Sequence, residues 1–472
     1  MGWPSFAAPV RMQRIAIVAP SATLREVLVR VAAAGTVEID RADASDGTAA
    51  TGGGEAGRRL QRLGVEGVEV SPSLSPDRPD LDVLERQGRA DLLAGEEQLE
   101  ACAAAAVVRG EAAALAGWIS AADVPDLSAR LLDTGGAVVP SRPSRGLDPP
   151  TVLRSGSAVR QSFSPLVNTY GTVPYADVDP TVLAGVAYMF MFGMMFGDVG
   201  HGALLVLLGL ILRTGRPVWV ARYRKVWPFV VGSGLAAIGF GLLYGEFFGP
   251  TGVVPVLWLS PLDQPVTLLG SAIGVGAVLL ACAYVVGTVN RWREGGWATA
   301  LSAPSGIAGA ALFAGLGLAV LGAVAGRGWL IAGTLVAAAG LVLAAVGFLA
   351  GAGGGLAGAA QAVVELFDAV IRLGANLVSF ARLAAFGLTH AALGQVVWDG
   401  TTGLWGVGGW GVAAALLVFV LGNVLAFALE ALVAGVQALR LEYYELFSRV
   451  FVAEGRPFRP WHVPLDTSRR TP

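Results

Sequence analysis

Apolar positions along this chain follow two regimes that change near residue 178. Before it they come in short runs broken by charges and glycines. After it they form eight blocks, at about 181–196, 199–212, 227–249, 267–289, 305–325, 328–350, 359–398 and 409–448. A helix needs about 20 apolar residues to cross a bilayer, so the first two blocks are short for separate spans and could be one bent unit. The last two are too long for simple spans. At 1.5 Å per residue each would exceed about 50 Å, which predicts helices that tilt or project from the membrane.

The amino-terminal stretch predicts a small α+β unit. A strand at Arg14–Ala19 is followed by a helix with a capping box at Thr23 and Glu26, ended by Gly35, and by a second strand at Thr36–Ile39. Residues 43–57, rich in Gly, Ala and Ser, read as a loop. Residues 81–118 read as helix with a solvated charged face of Glu85, Arg86, Arg89, Glu96, Glu97 and Glu100. The Pro-rich stretch 140–150 returns the chain towards the membrane.

Composition agrees with this division. The chain is 54% hydrophobic and 14% charged, against about 25% charged for soluble domains, which marks a membrane protein. A net charge of −2 gives no sign of a nucleic-acid partner. Cys102 and Cys282 are too few for a disulfide framework or a metal site. The first twenty residues lack a charged start followed by a long apolar core, so no signal peptide is expected. Basic residues mark alternate loops: Arg213, Arg216, Arg222, Arg224 and Lys225 follow the second block, whereas 250–266 has no basic residue. Arg291 and Arg293 follow the fourth block, and Arg449, Arg456 and Arg459 the eighth. The positive-inside rule then predicts cytoplasmic termini and an even number of spans.

The chemistry sits in the last two blocks. Arg382 is flanked by Leu377-Val378 and Leu383-Ala384-Ala385-Phe386. A charge at the centre of a spanning helix costs about 2.5–3.5 kcal/mol on insertion scales, and such residues mark ion pathways. Snorkelling to an interface is the bland alternative, and the apolar sequence on both sides argues against it. At about 100° per residue, Asp368, Arg372, Asn376, Ser379, Arg382 and His390 share about a third of the helix circumference. Asp368 and Arg372, four apart, could equally be an ordinary helix salt bridge. His390 alone would be a satisfied interior histidine; on the stripe of Arg382 it becomes a candidate proton carrier.

Block eight repeats the pattern with Asn423, Glu430 and Gln437 at seven-residue spacing, close to two turns, followed by Arg440. Arg440, Glu442 and Glu445 lie nearer the cytoplasmic end and could be merely interfacial. A buried base on one long helix and a buried acid on the next suggest a membrane ion relay. Asp198 and His201, between the two short blocks, fit either an ion site or a loop joining two helices. Gly193, Gly197, Gly200 and Gly202 around them permit close helix packing. No Walker sequence, metal cluster or nucleophile triad is visible.

These residues resemble the a subunit (subunit I in prokaryotes) of the rotary V-type and A-type ATPases. The likeness is carried by YGTVPYADVDPTVLAGVAYMFMFGMMFGDVGHG at 170–202, by Tyr244-Gly-Glu-Phe-Phe-Gly249, and by Asn376-Leu-Val-Ser-Phe-Ala-Arg-Leu383 through Leu388-Thr-His-Ala-Ala-Leu393. It continues in Leu429-Glu-Ala431 through Ala438-Leu-Arg-Leu441 and ends at Glu454-Gly-Arg-Pro-Phe458. Weaker likeness extends to Ala116-Gly-Trp-Ile119 and the opening strand.

The resemblance implies a mainly α fold. A polytopic membrane domain of about eight helices, with two long tilted carboxy-terminal ones, would follow a small α+β cytoplasmic domain with a helical coil. The implied divisions are residues 1–178 for stator attachment, 179–460 for the half-channels and 461–472 as a cytoplasmic tail. Arg382 would be the stator arginine facing a rotating proteolipid ring, where opposite charge favours ionisation of each ring carboxylate. Asp198, His390 and Glu430 would lie on the outer side of it. Asp368, Arg372, Asn376 and Arg440 would lie on the cytoplasmic side, with Ser379 and Gln437 as further polar positions of the pathway.

The partners implied are the proteolipid c-ring, E/G-type peripheral stalk subunits, a d/C-type central stalk subunit, the ATP-hydrolysing sector indirectly, and the lipid bilayer, with no nucleic acid. The chain would carry protons (or Na⁺) in a prokaryotic plasma membrane, with no cofactor and no nucleotide site of its own. Family members have a longer cytoplasmic domain, so the distal lobe and much of the coil are expected to be missing or reduced here. A secondary proton-coupled transporter is the competing reading; it predicts inverted repeats and broken helices around a midplane site. A non-conducting scaffold is the third, and the presence of Arg382, Glu430 and His390 argues against it.

Overall fold

A computed structural model describes residues 9–40, 54–64, 70–143, 147–154, 156–216, 218–352, 354–450 and 455–466. The chain forms two compact units, Pro9–Val152 with Gly455–Pro472 and Leu153–Glu454. The first unit holds strand β1 (Met12–Pro20), helix α1 (Leu24–Ala34), β2 (Val37–Ile39), α2 (Glu55–Arg62), α3 (Leu81–Arg86) and α4 (Ala90–Ala104). It continues with β3 (Val107–Arg109), β4 (Ala112–Ser120), α5 (Val124–Leu131) and β5 (Ala137–Pro140). The sheet is antiparallel in the order β2-β4-β1-β5, with β3 also on β4. Alternate side chains of β1, Ile15, Ile17 and Ala19, bury against Val27, Leu28 and Val31 of α1.

Four local expectations change here. The predicted helix over 81–118 stops at Ala104, and residues 107–120 are strands joined through Gly110 at φ 60°. The run Ala112–Ser120 is alanine-rich, a helical signal, yet pairing with the whole of β1 overrides its propensity. The face expected to be solvated is partly closed. Glu96 is buried and takes a hydrogen bond from Arg25, and the Glu100 carboxylate accepts the Ala56 N–H at 3.1 Å. Thr23 is the N-cap residue of α1 without making the capping box. Its hydroxyl donates to the Thr134 carbonyl at 2.9 Å, and Glu26 pairs with Arg30. Of the loop expected over 43–57, residues 43–53 lie outside those described, and 55–57 begin α2. Gly35 caps α1 in the left-handed region, as its position predicts.

The carboxy-terminal segment 455–466 is woven into this unit. Trp461 N–H donates to Val37 O at 2.8 Å, and Leu74 N–H donates to Pro464 O at 2.9 Å while Asp466 N–H donates to Leu74 O at 2.8 Å. Trp461 and Val463 point into the core. Replacing Trp461 with alanine is expected to lower the stability of this unit by about 3–5 kcal/mol. Thermal unfolding of the full chain followed by hydrogen exchange in β2 checks it, and unchanged exchange would refute it.

The second unit is helical: α6 (Ala158–Tyr170), α7 (Thr181–Met195), α8 (Val199–Thr214), α9 (Trp227–Tyr244), α10 (Pro265–Ser302) and α11 (Ile307–Ala325). It ends with α12 (Arg327–Gly351), α13 (Gly355–Ser379), α14 (Ala381–Trp405), α15 (Trp410–Leu441) and the short α16 (Ser448–Val450). Four helices among the described residues are long and apolar enough to cross a membrane: Val220–Tyr244, Pro265–Ser302, Arg327–Gly351 and Trp410–Val450. The helices α7, α8 and α11 are shorter apolar ones. Glycines let them approach closely, as the sequence predicts. A Cβ on Gly202 would lie 2.8 Å from Gly234 O, and one on Gly193 would lie 2.7 Å from the Ala236 backbone.

Block seven is not one helix. It breaks at Phe380 into α13 and α14. Ser379 Oγ donates back to Ala375 O at 3.0 Å, a bond that bends helices. Phe380 itself is fully buried over Gly276 of α10, where a Cβ would lie 2.3 Å from its ring. Block eight also departs from a regular helix: after Leu441 it widens into a π-helical turn, Glu442–Phe447. The register shift turns both Glu442 and Glu445 inward, although they could be interfacial on sequence alone.

Ahead of α7, Asp177 is completely buried. Burial pushes its carboxyl up to about 7, nearby Glu294 acts in the same direction, and Arg291 and Arg293 oppose them. A carboxyl with a raised folded-state pKa binds more protons folded than unfolded. Its contribution therefore favours folding at acid pH and is lost as pH rises from about 4 to about 7. The Asp177→Asn variant should lose this slope, up to about 1.4 kcal/mol per pH unit. Melting temperatures measured across that range check it, and parallel profiles would refute it.

Candidate functional site

A buried polar cluster forms where α7 hands over to α8. Asp198 is the N-cap of α8, fully buried, its Oδ1 accepting the His201 N–H at 2.8 Å. Its Oδ2 accepts the Gly249 N–H at 2.9 Å, from the loop that follows α9. That loop is Tyr244-Gly-Glu-Phe-Phe-Gly249. It turns through Gly245 at φ 77°, Phe248 at φ 51° and Gly249 at φ 92°. Phe248 is the one described non-glycine residue with positive φ, which is a strained conformation. The turn sets Glu246 inside and lays the Phe248 ring edge-on against the His201 ring, 5.3 Å between centroids.

Two long helices complete the cluster. His390 on α14 is buried, and its Nδ1 hydrogen-bonds Glu430 Oε2 of α15. Its Nε2 lies 3.8 Å from Glu246 Oε2. The His201 and His390 rings are 5.6 Å apart, and Phe196 lies against both. Three carboxylates and two imidazoles thus share one apolar pocket, an arrangement able to hold and pass protons. Asn423, one turn-pair before Glu430, donates to Phe419 O at 2.9 Å instead of reaching the carboxylates.

A second cluster lies at the break between α13 and α14 and centres on Glu445. Asn376, with its amide oriented to suit its neighbours, donates to Glu445 Oε2 at 3.0 Å and to Arg372 O at 2.9 Å. Its oxygen accepts from Arg449 at 3.2 Å. Ser379 lies beside Glu445 while its hydroxyl donates to Ala375 O, and Arg382, Arg440 and Arg449 act on the same carboxylate electrostatically. Arg382 Nη1 is buried and meets no hydrogen-bond partner among the described residues. Gln437 Oε1 is in the same position.

Of the residues singled out in the sequence, Asp198, His390 and Glu430 come together in the first cluster. Asn376, Ser379, Arg382 and Arg440 gather about the second. Asp368 and Arg372 join neither: they form an exposed ion pair one turn apart on α13, the plain alternative for that spacing. Sequence reasoning missed Glu246 and Glu445. Glu246 was visible only as one acid in a conspicuous Gly-Glu-Phe-Phe-Gly turn, and Glu445 only as one of several acids near a helix end.

Residues 104–250 match the family described as the V-type ATPase 116kDa subunit family. The A-type ATP synthase subunit I of Pyrococcus horikoshii is 26% identical over 314 residues, 65% of this chain and 46% of that protein. The V-type ATP synthase subunit I 2 of Treponema pallidum is 36% identical over 165 residues, 33% of this chain and 35% of that protein. The human V-type proton ATPase 116 kDa subunit a 3 is 33% identical over 156 residues, 30% of this chain and 19% of that protein. The chain spans about half the length of the first curated relatives it matches. The resemblance drawn from residue motifs is thus supported by a family match and by relatives of that name.

Proposed function

We propose, taking as premise that this chain is a relative of the V/A-type ATPase subunits a and I, that it is the membrane stator of such a rotary ATPase. In this reading it carries protons (or Na⁺) to and from a rotating proteolipid ring. One observation carries it: Arg382, unpartnered at Nη1, stands on α14 at the edge of the Glu445 cluster and eight residues, about 12 Å along the helix, before His390 of the other cluster. The intervening positions include the fully buried Leu383 and Ala384, which give water and protons no polar foothold.

The cluster of Asp198, Glu246, His390 and Glu430 serves as the outer half-channel. The one around Glu445, with Asn376, Ser379 and Arg440, serves as the cytoplasmic half-channel. A ring carboxylate, protonated while in lipid, gives up its proton on meeting Arg382, because the fixed positive charge favours its ionised form. The same charge repels protons that would cross directly. The membrane unit then has about eight spans in a prokaryotic plasma membrane with both termini cytoplasmic. In the divisions read from the sequence, residues 1–178 serve stator attachment, 179–460 the half-channels and 461–472 lie on the cytoplasmic side, Trp461 and Val463 packing into the attachment unit. Its partners are the proteolipid ring, a peripheral stalk and a central-stalk subunit; nucleotide hydrolysis belongs to another subunit. Affinity purification from native membranes tests the assignment: proteolipid and nucleotide-hydrolysing subunits should copurify in fixed proportion. Their absence under conditions that keep membrane complexes intact would refute it.

A further inference from the structure

Asp198, His201 and His390 bring one carboxylate oxygen and two ring nitrogens to within 4.8 Å of one another. Asn423 is the polar neighbour of the His201 ring, yet neither ring nitrogen reaches hydrogen-bond geometry with a described residue, and the side chain is 3% exposed. Its Nδ1 is 3.8 Å from Asp198 Oδ1, beyond hydrogen-bond reach. A buried imidazole whose nitrogens lack well-placed partners is costly unless something else takes up a lone pair.

From this geometry we infer that the outer cluster is a binding site for a borderline divalent cation of the zinc type. Two imidazoles and a carboxylate match zinc-like donor sets, whereas Mg²⁺ and Ca²⁺ favour oxygen ligands. Zinc at about 2.0–2.2 Å from each ligand requires donor atoms roughly 3.4 Å apart, so small side-chain rotations would close the set. The Asp198 carboxylate is already oriented by the His201 and Gly249 N–H groups, the kind of outer support that metal-binding carboxylates use. Glu246 and Glu430 flank His390, and the surplus of carboxylates over cations in the pocket favours a dication. A cavity of about 160 Å³, bounded by Met195, Thr389, His390, Leu393 and Glu430, gives an approach to the His390–Glu430 side. The binding rests on this geometry alone. Its consequence, occlusion of the outer half-channel, rests on the function proposed above.

The probe is Zn²⁺ added to the purified, detergent-solubilised complex. Wild-type complex should bind one zinc more than the complexes carrying His201→Leu or His201→Gln. X-ray absorption should show two imidazoles in the shell of that additional zinc. The chain has three histidines, and His462 belongs to the other unit, so a two-imidazole shell drawn from this chain means His201 and His390. Both His201 variants should weaken the site by more than the about 10–100-fold that loss of an outer-shell partner costs, and their melting temperatures in chelator establish that they fold. Equal zinc content in wild type and a folded His201 variant overturns the inference, as does an imidazole-free shell. Micromolar Zn²⁺ should also slow ATP-driven pumping, reversibly on chelation, relative to each protein's own zinc-free rate. Zinc held by these residues with pumping unchanged would support the site while counting against the half-channel reading.

Discussion

An Arg382→Ala complex is expected to assemble fully and to pump no ions when supplied with ATP. Assembly should survive, because arginine at a helix centre costs about 2.5–3.5 kcal/mol of insertion energy and alanine does not. Arg382 also makes no hydrogen bond at Nη1 whose loss would expose an orphaned partner. Pumping should fail because nothing then drives ring carboxylates into their ionised form at the stator. Arg382→Lys keeps the charge and loses the planar fork, so it should retain part of the activity. Subunit stoichiometry by mass spectrometry and ATP-driven acidification of reconstituted vesicles are the two readouts. Normal acidification in the alanine variant would refute the stator role, and failed assembly would mean that Arg382 holds the fold together.

The second large effect belongs to Asp198→Ala, and it is structural before it is functional. The carboxylate caps α8 and holds the loop after α9 through Gly249 N–H. Losing a helix cap costs about 0.5–2 kcal/mol, and stranding a buried N–H costs about 1–3 more. The loop it releases carries the strained Phe248, so Glu246 and the Phe248 ring should lose their fixed positions along with it. The expected outcome is a melting temperature lowered by several degrees and a large loss of pumping. Asp198→Asn keeps an acceptor for one of the two N–H groups and should fall between. A wild-type melting curve for the alanine variant would show that Asp198 has no such clasping role.

How far the site was legible follows from what periodicity can and cannot encode. An isolated arginine among Leu, Ala and Phe is expensive wherever it sits, so Arg382 stood out at once. The 100° wheel also grouped it with Asn376 and Ser379, although the helix breaks at Phe380 between them and it. The wheel carries no information about neighbours, which is why it put the exposed Asp368–Arg372 pair on the same stripe. Glu445 escaped because a π-helical turn changes the register just before it, and a constant angle cannot anticipate that. Glu246 escaped because its position depends on three positive-φ residues in one loop, which only the folded chain reveals. In the α+β unit, alternation found β1 and β2. It missed β4, whose alanines gain strand geometry from their neighbour β1 and not from their own propensity.

The central claim is that Arg382 separates two ion pathways, and passive proton flux tests it most directly. Membrane sectors carrying wild-type chain, Arg382→Ala, or Arg382→Ala with Glu430→Gln would be reconstituted in liposomes, and flux would be measured under an imposed potential without ATP. Wild type should be tight, the single variant should leak, and Glu430→Gln should suppress that leak by interrupting the outer cluster at its bond to His390. A tight Arg382→Ala sector, or a leak indifferent to Glu430, would contradict the account.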